Sequence, residues 1–245
     1  MAQKRGNKPA YDKQTRIPTN ELNSMDTYFQ YGEKEIEHLK RADKRLATVI
    51  DQIGMIKRTV IPDLFTALVH SIVGQQISTK AHQTVWERMK TELTEISPAT
   101  VDKLTLEHIQ QFGISFRKAS YIQSVTRKIV TGEFDLDSLH AMSDEEVSKR
   151  LSEQDGIGVW TAEMLMIFSM QRPNVLSYGD LAIHRGLRMV YHHRVIDKTT
   201  FEKYRKRYTP YASVAGLYLW AVAGGAIDGM KDNAPEKNKD VRHTK

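Results

Sequence analysis

Between about residues 20 and 230 the chain is bounded again and again by helix punctuation, and no stretch alternates apolar and polar residues with the period of a strand. An all-α fold is the expectation. Asp63 stands ahead of the apolar run Leu64–Val73, which ends at Gly74. Ser78 can cap a helix that opens at Thr79, and Ser97-Pro98 puts a capping hydroxyl before a proline at the first helical position. Thr105 precedes a short helix stopped by Gly113, and Ser115 opens the next, through Val130. Ser143 and Glu146 have capping-box spacing for a helix through Glu153. Further helices are expected over about Val159–Met170, just after Asp180, and over about Tyr211–Ala223. About ten helices with short connections make a globular helical fold.

Composition narrows the functional classes. The 245 residues suffice for one large domain or two lobes around a cleft. No run approaches the ~18 apolar residues of a membrane span, and Met1–Pro18 is polar, without the apolar segment of a secretion signal. No membrane association and an intracellular location are therefore expected. The absence of cysteine excludes disulfides, thiolate zinc sites, a cysteine nucleophile and a cysteine-held iron–sulfur cluster. His192-His193 lacks helical ligand spacing and sits among Arg188 and Arg194, so no metal is expected there. His184, one turn after Asp180, can contact phosphate or simply face solvent.

The net charge of +6 comes wholly from the ends. Residues 1–18 carry +4, residues 231–245 carry +2, and residues 19–230 sum to zero. Both ends are polar and poor in large apolar groups, and disorder is expected over 1–20 and 231–245. Within the neutral body the charge is segregated. Arg117, Lys118, Arg127 and Lys128 stand in an acid-free stretch, residues 164–212 carry +6, and residues 133–163 hold nine acids against two bases. This suits a molecule with one anion-facing side, although a charge run is more often a solvated face.

The most informative segment runs from Leu151 to Glu163. A helix ends near Glu153, then come Gly156, Ile157 and Gly158, and a new helix starts. Two glycines around one apolar residue allow a tight hairpin with positive φ, and Ile157 can plug between the helices. The amides of Gly158, Val159 and Trp160 would point outward from a helix N-terminus, where one phosphate oxygen can dock. Such a contact grips a backbone without reading bases. The plainer account is a C-cap glycine followed by a turn. Twenty-two residues past Gly158 lies Asp180, immediately before an apolar helical run. It can be an N-cap, a carboxylate fixed at a helix start facing a cleft, or both.

The pattern Gly-Ile-Gly-x-x-Thr-Ala between helices resembles the helix–hairpin–helix of DNA-repair glycosylases. The order hairpin, helix, loop, aspartate resembles the helix–hairpin–helix, Gly/Pro-rich loop and aspartate superfamily, and within it the 3-methyladenine DNA glycosylase II branch. Three further stretches carry the likeness: Phe65–Ser78, Phe112–Ile122 with its Gly-x-Ser-x-x-Lys-Ala segment, and Ser213–Trp220. The likeness covers about residues 25–225. The loop before Asp180 departs from it, holding Gly179 but no proline, with Pro173 nearby.

The resemblance implies two helical lobes around a DNA- and base-binding cleft. One spans about 56–165; the other combines the N-terminal helices with about 171–230. It implies a monomer acting on double-stranded DNA with alkylated bases, in the cytoplasm and nucleoid or in a nucleus, without a cofactor. The hairpin at Gly156, Gly158, Val159 and Thr161 would anchor the strand, with a monovalent cation on its carbonyls as in related proteins. The loop Gln75, Gln76, Ile77, Ser78 would fill the gap left by a base rotated out of the duplex, with Gln76 or Ile77 as wedge. Its plainer account is a polar helix connection. Arg117 and Lys118 would contact DNA.

Alkylation at N3 or N7 makes a purine cationic, so it leaves without a dedicated acid, and what remains is to stabilise positive charge on the sugar. Asp180 is the catalytic candidate, acting electrostatically or also orienting water. Trp160 and Trp220 stand where the family places pocket tryptophans, whose faces attract a cationic base, and core packing is their plainer account. Met164, Tyr178 and Glu163 are further pocket candidates. Strand-nicking relatives carry a lysine where this chain has Trp160, so base release without strand cleavage is expected. Two alternatives stay open: a glycosylase for other lesions such as hypoxanthine or ethenoadenine, and a non-catalytic DNA-binding module.

Overall fold

A computed structural model describes residues 27–235. The expected disorder of residues 1–20 and 236–245 lies outside the described residues. Twelve α-helices and one 3-10 helix are present among them, with no strand. The helices are α1 (Glu33–Ala42), α2 (Lys44–Ile53), α3 (Leu64–Gly74), α4 (Thr79–Glu92), α5 (Pro98–Val101), α6 (Leu106–Gln111), α7 (Phe116–Val130), α8 (Asp144–Ser152), α9 (Val159–Phe168), α10 (Leu181–Tyr191), α11 (Lys198–Tyr208) and α12 (Ala212–Ala223). The 3-10 turn spans Asp137–Ala141.

Side-chain caps set most of the starts. Asp63, Ser78, Ser97, Thr105, Ser115 and Ser143 each accept a bond from a first-turn amide of the helix that follows. Three elements go beyond the sequence reading: α1 and α2 were not placed individually, and α11, capped by Asp197, was not expected. The expected helix to Met170 stops at Phe168.

The helices pack in two groups. Helices α3 to α9 contact one another, with α9 lying on α8 and α3; α1, α2, α10, α11 and α12 form the other set, centred on the α10–α12 pair. The α10–α12 crossing is close because Gly186 carries no side chain. A Cβ there would lie 2.4 Å from the Leu219 carbonyl oxygen. Tyr218, fully buried, donates its hydroxyl to Gly54 O and ties α12 to the end of α2.

The chain passes from α2 to α3 through residues 54–63 and returns from α9 to α10 through the loop 169–180. Arg172 donates to the carbonyls of Leu139, His140 and Met142 and pairs with Asp144, holding the 3-10 turn against this loop. Buried Ser213 on α12 donates to Arg172 O and accepts from Val175 N. The loop that delivers Asp180 is thus fastened to both sides. In residues 231–235, expected to be part of a disordered tail, Asp232 and Asn233 bond Arg188 of α10. Asp232 accepts two hydrogen bonds from the Arg188 guanidinium, an anchor that composition alone does not reveal.

Candidate active site

Asp180 is the N-cap of α10. Its Oδ1 accepts from the amides of Ala182 and Ile183 at 2.8 and 3.0 Å. Its Oδ2 accepts from the Trp160 indole N–H at 2.9 Å. The N-cap account of this residue holds: the cap bonds fix the carboxylate and leave the second oxygen turned toward α9. Asp180 is 7% exposed while Trp160 is 49% exposed, so the indole lies over the carboxylate with much of its own surface open.

Trp160 stands in the first turn of α9, and Met164 and Phe168 follow one and two turns on, along the same face. All three are incompletely buried. Trp220, from α12, meets the far end of this stripe, its ring 5.4 Å from that of Phe168. The two tryptophans named from sequence therefore sit at opposite ends of one apolar strip from Asp180 to α12. Phe168 was missed, although its spacing of eight from Trp160 was visible. Tyr178 points elsewhere: its ring packs on His184 and on Phe201 of α11 at 5.0 and 5.1 Å. His184 donates to Tyr178 O, so its ring is engaged rather than free.

Glu163, on α9, lies near Ser177 and Asp180. Burial pushes its carboxyl above the usual range; the approach of the Ser177 hydroxyl offsets part of this, and the charge of Asp180 adds to it. The Ser177 hydroxyl is fully buried and makes no hydrogen bond of normal geometry, so Glu163 is its approach to a partner.

The hairpin joins α8 to α9. Ile157 is 4% exposed and plugs between the two helices. Of the two glycines only Gly156 has positive φ, +78°, and a Cβ there would strike the Tyr121 ring at 2.3 Å. Gly158 has φ −86°, an extended N-cap conformation open to other residues; what distinguishes it is that nothing lies within 4 Å of where its Cβ would be. No side chain caps α9, and Gly158, Val159 and Trp160 are all exposed at its start. Thr161, expected at the DNA surface, turns inward and is 7% exposed, because the next position around the helix from Trp160 faces the core. Gly156 O accepts from Gln75 and Gln154 O from Ile157 N, so two hairpin carbonyls already have partners.

The loop from Gln75 to Ser78 leaves α3 beside the hairpin. Gln76, Ile77 and Ser78 are exposed, Gln76 is left-handed at φ +54°, and Ser78 caps α4. Gln75 is turned inward, onto Gly156. Arg117 is exposed at the start of α7. Lys118, the other basic residue expected to meet DNA, instead donates to Val73 O and Gln75 O at 2.9 and 2.6 Å. A cavity of about 460 Å³ lined by Asp43, Arg45, Tyr191 and Arg207 lies at the opposite end of α10 from Asp180. Among the described residues no three His, Asp or Glu side chains converge as metal ligands, and no helix is long and apolar enough to cross a membrane.

The chain has relatives among known proteins. A DNA-3-methyladenine glycosylase 1 of Schizosaccharomyces pombe is 28% identical over 211 residues, covering 82% of this chain and 91% of its own. The crystal structure of a DNA-3-methyladenine glycosidase from Bacillus halodurans superposes with a TM-score of 0.73 at 34% identity, over 82% of this chain and 94% of that one. An S. pombe 3-methyladenine DNA glycosylase bound to abasic DNA gives a TM-score of 0.68 at 26% identity, over 78% and 97%. The family model for the HhH-GPD superfamily of base excision DNA repair proteins matches residues 69–210, which include the hairpin, Trp160 and Asp180. The chain belongs to the HhH-GPD superfamily of base excision DNA repair proteins.

Proposed function

We propose that this protein hydrolyses the N-glycosidic bond of alkylated purines in double-stranded DNA, of the 3-methyladenine and 7-methylguanine type, and leaves an abasic site. The observation that carries the reading is the Asp180 carboxylate, capped by two amides and bonded through Oδ2 to an exposed indole. Membership of a base excision repair family and the names of its relatives favour this substrate class.

The chemistry follows from charge. A carboxylate held by fixed donors keeps its orientation as positive charge develops on the deoxyribose, so no reorganisation is needed in the transition state. Oδ2 accepts one bond and keeps a lone pair for the sugar or for an attacking water. The indole face of Trp160 offers a platform to a cationic base, worth ~0.5–2 kcal/mol. A nucleotide reaching Oδ2 shares the oxygen with the Trp160 N–H. The first turn of α9 would hold a backbone phosphate, with Arg117 supplying a further positive charge. Trp160 offers no amine for a Schiff base, so the strand stays intact.

The test is release of free base from duplexes carrying 7-methylguanine, hypoxanthine or ethenoadenine, followed by borohydride trapping. Release of the alkylated purine with no trapped adduct is expected. Preferential release of hypoxanthine would move the reading to deaminated bases, a trapped adduct would overturn the monofunctional assignment, and no release from any duplex would leave DNA binding as the function.

A further inference from the structure

We infer that Lys118 is a positioning residue for duplex opening, bracing the loop that enters DNA rather than gripping a phosphate. The inference rests on the reading of the site as a DNA glycosylase and deepens it.

The last carbonyls of a helix have no partner within it. At the end of α3 they find one in Lys118, whose ammonium bonds Val73 O and Gln75 O from the first turn of α7. Gln75 is held a second time, since its side-chain amide donates to Gly156 O in the hairpin at 2.7 Å. A single residue is thereby tied to α7 through its carbonyl and to the strand anchor through its side chain. The next fixed point is Ser78, whose hydroxyl caps α4. Only Gln76 and Ile77 lie between. Both are exposed, and Gln76 is confined to the left-handed region, where a residue with a Cβ is disfavoured.

A loop that orders only on insertion charges its lost conformational entropy against the opening of the base pair, whereas a loop already ordered does not. The brace supplies that order. Partial burial, with the charge of neighbouring Arg117, pushes the Lys118 ammonium below the usual range, and two carbonyls engage it. Arg117, one position earlier on the helix, faces solvent. Adjacent basic residues thus divide the work, one bracing the protein and one left in solvent, where a phosphate can reach it.

The two roles separate by experiment with the full chain. Rates of 7-methylguanine release are measured under single turnover from a duplex and from the same strand unpaired. Affinity for a duplex with an abasic analogue is measured against salt, and 2-aminopurine beside the analogue reports loop insertion. Lys118→Met is expected to lower the duplex-to-single-strand rate ratio by about 10- to 100-fold, to dim the 2-aminopurine signal and to keep the wild-type salt slope. Arg117→Met should instead reduce that slope by about 0.9, the value of one lost phosphate contact. Gln75→Ala cuts the other side of the brace and should reproduce the Lys118→Met ratio, which guards against a folding defect in one variant.

The inference is overturned if Lys118→Met changes the salt slope by about one contact, or if both rates fall equally. Should the wild-type protein release no base, the glycosylase reading fails. Dimming of the 2-aminopurine signal in Lys118→Met would still uphold the brace, and an unchanged signal would refute it.

Discussion

Because Oδ1 of Asp180 is committed to the α10 cap and Oδ2 to the Trp160 indole, the carboxylate and the indole act as one unit. Trp160→Phe keeps an aromatic face and removes the donor. Base release should then slow by about tenfold in kcat with little change in KM, because the lost bond orients the carboxylate and does not bind the base. A change confined to KM would mean that the ring matters only as a platform. The pairing itself was beyond sequence reading. Trp160 and Asp180 are twenty residues apart, and only the packing of α9 against the 169–180 loop sets their atoms 2.9 Å apart. Lys118 misled for the same reason: a basic residue beside a basic residue looks like a phosphate contact until the carbonyls at the end of α3 come into view.

Among the elements, the α10–α12 crossing has the least tolerance. Gly186→Ala would press a methyl group onto the Leu219 backbone and should destabilise the fold by about 1–3 kcal/mol, read as a lower Tm in thermal unfolding. An unchanged Tm would show that α12 can shift. Between α3 and α4, the His70 ring packs at a tilt on His82 at 4.1 Å and meets Trp86 edge-on. Burial, aided by His82 and Lys90, lowers His70 to about 4, and burial lowers His82 as well, with Lys118 acting the same way. Since the unfolded chain binds these protons more readily, stability is full above pH 6.5 and falls as the pH drops toward 4. The loss is about 3 kcal/mol if His70 alone sets it. Denaturant unfolding from pH 7 to pH 4 should show this slope, and His70→Gln should flatten it. Helix starts were legible because a capping hydroxyl or carboxylate is a local signal, as at Ser78 and Ser115. Helix ends were less so: α9 stops at Phe168, short of the expected Met170, where Ile61 N takes the Phe168 carbonyl. That partner is more than a hundred residues away. The Asp197 cap of α11 was visible but lay in a strongly basic stretch without an obvious apolar stripe.

At the scale of the molecule, the site is assembled from parts far apart in the chain. The loop after α3 lies beside the hairpin that opens α9, Lys118 comes from α7, Trp160 from α9, Asp180 from the start of α10 and Trp220 from α12. Sequence reading singled out Asp180, the hairpin and both tryptophans, since each belongs to a short motif, and the structure bonds Trp160 to Asp180; it did not single out Phe168 beside Trp220 or the inward turns of Gln75 and Thr161, which depend on how helices face one another. The body is neutral, so attraction to DNA would come from the segregated charge around Arg117 and residues 164–212, and binding should weaken steeply with salt. The account turns on whether the Asp180 charge drives bond cleavage. Asp180→Asn keeps the size and the capping ability of the side chain and removes the charge. Release of 7-methylguanine from duplex DNA should fall by about 10²- to 10³-fold or more while affinity for the same duplex stays close to that of wild type. Release by Asp180→Asn within a few-fold of the wild-type rate would contradict the account.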